Sequence, residues 1–337
     1  FRLPPPRDAL AAFAAELNAV IRRERIDLLL PTCEEVFFVS RVRNRLPSSC
    51  TVFAGPFEQL RELHSKWTFL ALARECDVPA PDSACVQDID AARKWAAGRG
   101  VVLKPEFSRF GVHVRLYPHG IPEDAPPLES LGAWIVQAFQ AGTEICSYSI
   151  AVNGRLRAHM AYRPAWRIAR SSSYYFDPVS SPRIRKFVER FVGRQNFTGQ
   201  ISFDWIESPT GELHALECNP RAISGLHLFE LDDPLPAAMV GEQDSVIAPA
   251  GPTPRMLSPM MLSVGLPVAL RQSNLQQWRH DWSRARCALA IPGDKAALFG
   301  AIADMEALLR ISARRRCNLR TAATRDIEWD GAASLEE

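Results

Sequence analysis

Phe203-Asp204-Trp205 and, beyond the turn Ser208-Pro209-Thr210-Gly211, Leu216-Glu217-Cys218-Asn219-Pro220-Arg221 decide how this chain is read. Residues 199–207 and 213–217 have the composition of two strands joined by a tight turn. Alternation puts Glu217 and Asn219 on one face, and pairing across the turn can bring Asp204 beside them. Three hard oxygen ligands then gather at one sheet edge, a set that suits magnesium, which keeps waters and fills its remaining positions with phosphate oxygens. The plain alternative is two solvated strand ends and an Asn-Pro turn. Carboxylates among Phe203, Trp205, Ile206 and Leu216 need a reason to be there, which favours the ligand reading.

Upstream, Val101-Val102-Leu103-Lys104-Pro105 ends an apolar strand on a lysine fixed by proline, well placed to meet an anion. Val112–Tyr117 reads as its partner strand, and Trp134–Phe139 follows a proline-rich loop. Ile145–Val152 and Leu156–Ala161 meet at Asn153-Gly154, a hairpin signal. Helix 183–193 leads into the metal-ligand strands. This middle region is therefore α+β, an antiparallel sheet with helices. The first residues differ. A helix over 8–25, capped by Asp8, is followed by a strand at 26–30, a helix at about 32–43 and a strand at 51–54, the alternation of a parallel α/β sheet. Because that sheet opens on a proline-rich connector, a further strand–helix–strand is expected before Phe1. Past a connector at about 232–254, helices are predicted over 256–270, 275–286 and 295–316.

With these residues in this order, the chain resembles the ATP-grasp superfamily, in particular its carboxylate–amine ligase branch, from about Arg61 to Leu228. The fold implied has an N-terminal parallel α/β domain (1–62), a small nucleotide-binding lid domain (63–140) and an antiparallel-sheet catalytic domain (141–250). A helical C-terminal extension (251–337) lies outside the shared core. The resemblance implies ATP and two magnesium ions, with manganese able to substitute, held by Asp204, Glu217 and Asn219. Lys66 and Lys104 would reach phosphate; the plain alternative for Lys66 is an exposed helix lysine. Ser108–Val114 falls where the family's phosphate-covering loop lies. That loop is usually richer in glycine; here Gly111 remains, with Arg109 and His113 beside it. Backbone groups at Gln137, Ala138 and Phe139 would read adenine, although many relatives carry a glutamate at the position of Gln137 or Ala138. Glu144 would accept the ribose hydroxyls, and Leu216 would lie under the base. Arg221 would orient γ-phosphate or an acceptor carboxylate, with Ser224 lining the same pocket. Arg163, Arg167 and Arg170 could gather a substrate anion, or form a charged loop facing solvent.

The activity implied is ATP-dependent joining of a small-molecule carboxylate to an amine through an acyl phosphate. Lys104 and Arg221 would serve catalysis by position and charge. Two other accounts stay open: phosphotransfer to a hydroxyl, and a nucleotide-binding partner subunit without turnover. Composition excludes other classes. Among 337 residues, 40 Lys and Arg face 38 Asp and Glu, so the balance offers no global attraction to nucleic acid or an anionic membrane. No apolar run approaches the ~18 residues of a membrane span. Eight scattered cysteines without a CxxC pair suggest a reducing cytoplasm rather than a disulfide framework. A homodimer is expected by analogy, and the C-terminal helices read as packing or a dimer face rather than a lid.

Overall fold

The computed structural model describes residues 1–331 except 109, 110, 112, 169–171, 250 and 295. The N-terminal α/β unit forms much as the pattern dictates. Helix α1 (Leu10–Glu24) buries Phe13, Ala14, Leu17, Val20 and Ile21 at helical spacing and stops at Arg25, whose φ of 53° is left-handed. Asp8 does not cap it. Ala9 holds that position without a side-chain bond, and the Pro5 carbonyl accepts from the amides of Asp8 and Ala9 instead. Strands β1 (Leu28–Leu29) and β2 (Thr51–Val52) pair in parallel, joined through α2 (Glu35–Arg41).

Two helices, α3 (Phe57–His64) and α4 (Thr68–Glu75), lead on to a second sheet built from β3 (Ser83–Val86), β4 (Val101–Pro105), β5 (Arg115–Tyr117) and β6 (Trp134–Ala138). Its order is β3-β6-β4-β5, antiparallel throughout. Helix α5 (Ile89–Ala96), capped by Asp88 through the Ala91 amide at 2.7 Å, covers one face over Val101, Leu103, Trp134 and Val136.

The largest sheet has seven strands: β7 (Thr143–Val152), β8 (Arg155–Arg167), β9 (Ser173–Val179), β10 (Gly199–Glu207), β11 (Leu213–Asn219), β12 (Arg255–Met256) and β13 (Arg286–Cys287). The order is β11-β10-β7-β8-β9-β12-β13. The β7–β8 hairpin turns at Asn153 and Gly154, with φ of 49° and 72°, as Asn-Gly predicts. Two departures from the sequence reading stand out here. Arg163 and Arg167 do not lie in a charged loop, because β8 runs on to Arg167 and β9 pairs back along it. Nor does the predicted helix 256–270 begin at Met256: Arg255 and Met256 pair with Phe176 and Tyr175, extending the sheet edge before helical turns begin at Ser258. An unpaired sheet edge decided that short segment, over its own propensity. The predicted helix 256–270 forms as consecutive helical segments, Ser258–Met260, Met261–Gly265 and Leu266–Arg271, and the later helices are Leu275–Arg284, Ala296–Arg315 and Leu319–Thr324.

Helix α6 (Pro182–Arg194), capped by Ser181, clamps the back of this sheet. Its Phe191 is fully buried, with ring centroids of Phe203, Phe187 and Phe69 at 5.2, 5.3 and 5.9 Å. Phe191→Ala is expected to cost about 3–5 kcal/mol of unfolding free energy, read by urea denaturation, because the surrounding rings cannot collapse into the void. A loss below about 1 kcal/mol would mean that α6 is not fixed through this ring.

Candidate active site

The β10–β11 register sets Asp204 opposite Glu217 and Ser202 opposite Asn219. Between Asp204 and Trp205 the register shifts, and Leu216 is left without a partner as a bulge residue. The three side chains named from the sequence meet. Asn219 Nδ2 lies 3.4 Å from both Asp204 Oδ2 and Glu217 Oε1. Burial, and then the neighbouring Glu217, push the Asp204 carboxyl well above its usual range, so it keeps a proton when no cation is present. Burial acts on Glu217 in the same direction, but Lys66 and the hydrogen bond from Asp204 outweigh it and hold Glu217 ionised. Two crowded carboxylates, faced by the Asn219 amide nitrogen while its oxygen takes Arg221, are hard oxygen donors of the kind a divalent cation binds.

Three cations surround the pair. Lys66, 3% exposed, sits between α3 and α4; its Nζ donates to the Ser108 carbonyl at 2.8 Å and lies 3.8 Å from Glu217 Oε2. It is therefore not an exposed helix lysine. Lys104 Nζ donates to Gln137 Oε1 at 3.0 Å and to the carbonyl of the bulge residue Leu216 at 3.4 Å. Burial lowers its pKa to about 8. Arg221 donates to Asn219 Oδ1 at 3.2 Å and to the Ala222 carbonyl at 3.1 Å, and pairs with Glu34 Oε1 at 3.5 Å. Glu34 is fully buried, and sequence reading missed it. The available signal was slight: two adjacent carboxylates, Glu34-Glu35, precede the apolar run Val36-Phe37-Phe38-Val39, and the sequence does not say which of them turns inward. His64 sits against the same cluster with Nδ1 3.4 Å from the Cys218 carbonyl; burial, then Lys66 and Arg221, lower its pKa to about 3, so it is neutral.

These groups open on a cleft of about 890 Å³ between the second and third sheets. Gly111, Gln137, Ala138, Phe139, Glu144, Leu216 and Ser224 also line it, as does Cys146, whose thiol hydrogen-bonds Asp204. At the β6 end the Gln137 side chain is committed to the protein: its amide oxygen takes Lys104, and its nitrogen donates to Ser83 Oγ at 3.2 Å. The backbone amides of Ala138 and Phe139 are likewise engaged, with the carbonyls of Asp82 and Gly100.

Arg163 and Arg167 part company. Trp166 has φ of 49°, and this left-handed residue breaks the strand alternation that would keep both arginines on one face. Arg167 turns into the cleft and pairs with Glu144, whereas Arg163 Nη2 lies 3.7 Å from Glu207 Oε2, outside the residues lining the cleft. Asp281, from the helix Leu275–Arg284, accepts the Trp166 indole N–H at 2.7 Å. Arg109 and Arg170 lie outside the described residues.

No protein-family model matches the chain, and no curated protein does either. Among solved structures, biotin carboxylase from Campylobacter jejuni, in complex with β,γ-ATP, is similar with a TM-score of 0.56 and 13% identity over 72% of this chain and 60% of that one. The biotin carboxylase domain of 2-oxoglutarate carboxylase from Hydrogenobacter thermophilus, bound to MgADP, ADP and bicarbonate, gives 0.52 and 13% over 64% and 53%. Rhizobium etli pyruvate carboxylase gives 0.51 and 16% over 64% of this chain but 21% of that one. The chain thus covers less than two thirds of each of these. At such identities the likeness shows the fold, and the fold is ATP-grasp.

Proposed function

We propose that the cleft binds ATP with magnesium and uses it to activate a small-molecule carboxylate, which is then joined to an amine. One observation carries this reading: Asp204, Glu217 and Asn219 converge at one end of an open cleft with Lys66, Lys104 and Arg221 around them. Structural ion pairs rarely leave two carboxylates crowded together at a cleft wall. Magnesium held there would shield the triphosphate and draw charge from the phosphoryl group in transfer.

The remaining work is positional, and these residues supply it. Lys104, poised above the Leu216 carbonyl, meets α- and β-phosphate oxygens as a point charge. Lys66 keeps Glu217 ionised as a cation ligand and adds positive potential from below. Arg221 offers its planar fork to the γ-phosphate or to the acceptor carboxylate. The carboxylate oxygen attacks the γ-phosphorus and the bond to the ADP oxygen breaks, giving an acyl phosphate and ADP. An amine lone pair then attacks the acyl carbon, inorganic phosphate leaves, and the surplus amine proton goes to solvent or phosphate. No protein nucleophile is required. Glu144 and Arg167, already paired, mark the corner where ribose hydroxyls would compete for the carboxylate.

The test is a phosphate-release screen of carboxylic acids with and without amines, followed by mass measurement of the product. The expected result is phosphate release that needs both an acid and an amine, with a product lighter by one water than their sum. A stable phosphorylated product with no amide would replace this reading with phosphotransfer to a hydroxyl. Nucleotide binding without ADP formation across the screen would replace it with a binding subunit.

A further inference from the structure

Glu34 is a charged group that the proposed chemistry leaves unused. Its carboxylate is fully buried on the N-terminal side of α2, and burying an ion is costly unless it is held by partners. Two of its partners stand on opposite sides. Oε1 faces Arg221 Nη2 at 3.5 Å, and Oε2 accepts the backbone N–H of Trp329 at 3.2 Å. From Arg221 the chain of contacts runs through Asn219 to Asp204 and Glu217. A carboxylate from the first α/β unit therefore joins a residue of the C-terminal tail to the proposed cation ligands.

The tail is fastened in place. Trp329, 2% exposed, stacks on Phe37 with centroids 4.4 Å apart and meets the edges of Phe57 at 5.7 Å and Phe107 at 5.1 Å. Arg7 pairs with Asp330 at 3.0 Å and donates to the Glu328 carbonyl at 3.3 Å. Gly331, at φ 90°, lies so close to Phe107 that an added Cβ would stand 2.2 Å from the ring, so only glycine fits. Phe107 itself follows β4 and precedes Ser108, whose carbonyl takes Lys66.

Stability is a poor reason for such an arrangement. A buried ion pair is commonly replaceable by apolar groups at no cost, whereas a guanidinium that must present a fixed fork gains from having its other N–H groups tied down. We propose that Glu34 is a positioning residue that holds Arg221 against Asn219, and that the segment Glu328–Asp330 is the latch that holds Glu34. The inference rests on the ATP and magnesium reading of the cleft, and it assigns the C-terminal tail a part in the site.

Binding, rather than turnover, separates the possibilities. Full-length wild type, Glu34→Gln, Trp329→Ala and Trp329→Phe are titrated calorimetrically with MgADP and with the magnesium complex of the non-hydrolysable β,γ-imido analogue of ATP. Their melting temperatures are recorded alongside. Glu34→Gln keeps the volume and an acceptor oxygen but turns an amide toward the guanidinium. It is expected to weaken the triphosphate analogue about ten- to a hundredfold, the usual scale for a residue that orients a ligand group, while MgADP changes by less than about threefold. Trp329→Ala should show the same selective loss, and Trp329→Phe, which keeps the ring stack and the backbone N–H, should restore wild-type values. A uniform loss across both nucleotides, or no loss in a folded Glu34→Gln or Trp329→Ala protein, overturns the proposal. Should Glu34→Gln fail to fold, the Trp329 pair decides alone. If wild type binds neither nucleotide, the ATP reading fails and this inference with it. If wild type and variants bind both equally, only the latch fails.

Discussion

Glu217→Ala is expected to reduce magnesium-dependent ATP turnover about a thousandfold and MgADP affinity at least about a hundredfold. Glu217 stands at the centre of the ligand set: it shares a proton with Asp204, accepts from Asn219 and faces Lys66. Its removal takes away the ionised member of the pair and leaves Lys66, buried beside it, without its strongest counter-charge. Both changes act against a cation–triphosphate complex, so the loss should exceed that from any single phosphate-contacting side chain. Glu217→Gln serves as the shape-preserving control and should fall nearly as far, because charge rather than volume binds the cation. The side chain retains 29% exposure toward the cleft, so neither variant opens a cavity in the core. Undiminished turnover by Glu217→Ala with the correct acid and amine present would remove the foundation of the functional reading.

That this residue could be named from sequence reflects the physics of a hairpin. The tight turn makes Asp204 and Glu217 near neighbours, but the register that starts with Glu207 opposite Leu213 would set Asp204 opposite Leu216, and the bulge at Leu216, which no periodicity announces, moves Glu217 into that place. Lys104 was legible for a similar reason, since an apolar strand closed by Lys-Pro has one charged end. The same local logic stops at Glu34, whose partner Arg221 lies 187 positions later in the chain, and only the tertiary fold supplies that pairing. It stops again at Arg163 and Arg167. Their spacing of four implies a shared face, and a single left-handed residue, Trp166, undoes the inference. Nothing in the side chain of a tryptophan announces that conformation; here a carboxylate from a C-terminal helix holds its indole. The strand at 255–256 was hidden for a related reason: two residues carry no periodicity, and the open edge of β9 decides their state. Composition and spacing thus reveal the ligands on one hairpin, while what aims the surrounding cations comes from distant segments.

Lys104 gives the second large effect, and its sign can be worked out in advance. Its pKa is lowered from 10.5 to about 8, chiefly by burial, with Glu217 and Asp204 partly offsetting that. The protonated ammonium is the form that attracts phosphate, and a bound polyphosphate raises its pKa again. Between about 8 and the bound value, each pH unit should cost about tenfold in MgADP affinity, because binding there takes up a proton. Affinity is therefore expected to be flat from pH 6.5 to 7.5 and to fall through pH 8–9. Lys104→Arg should abolish most of that slope, since a guanidinium stays charged, though its different geometry lowers affinity throughout. Lys104→Met should bind about a hundredfold more weakly at pH 7 and show little change above it. Slope that survives in Lys104→Arg belongs to Lys66, which burial also lowers. Stability of the nucleotide-free protein should move the other way. Between pH 8 and 10.5 the unfolded chain binds the proton that the folded chain has released, so Lys104 contributes a gain in folding stability as pH rises. Calorimetric titrations and denaturant midpoints across this range measure the two trends separately. Opposite slopes, both removed in Lys104→Met, would identify one buried amine as their common source, and parallel or absent slopes would take Lys104 out of the phosphate site.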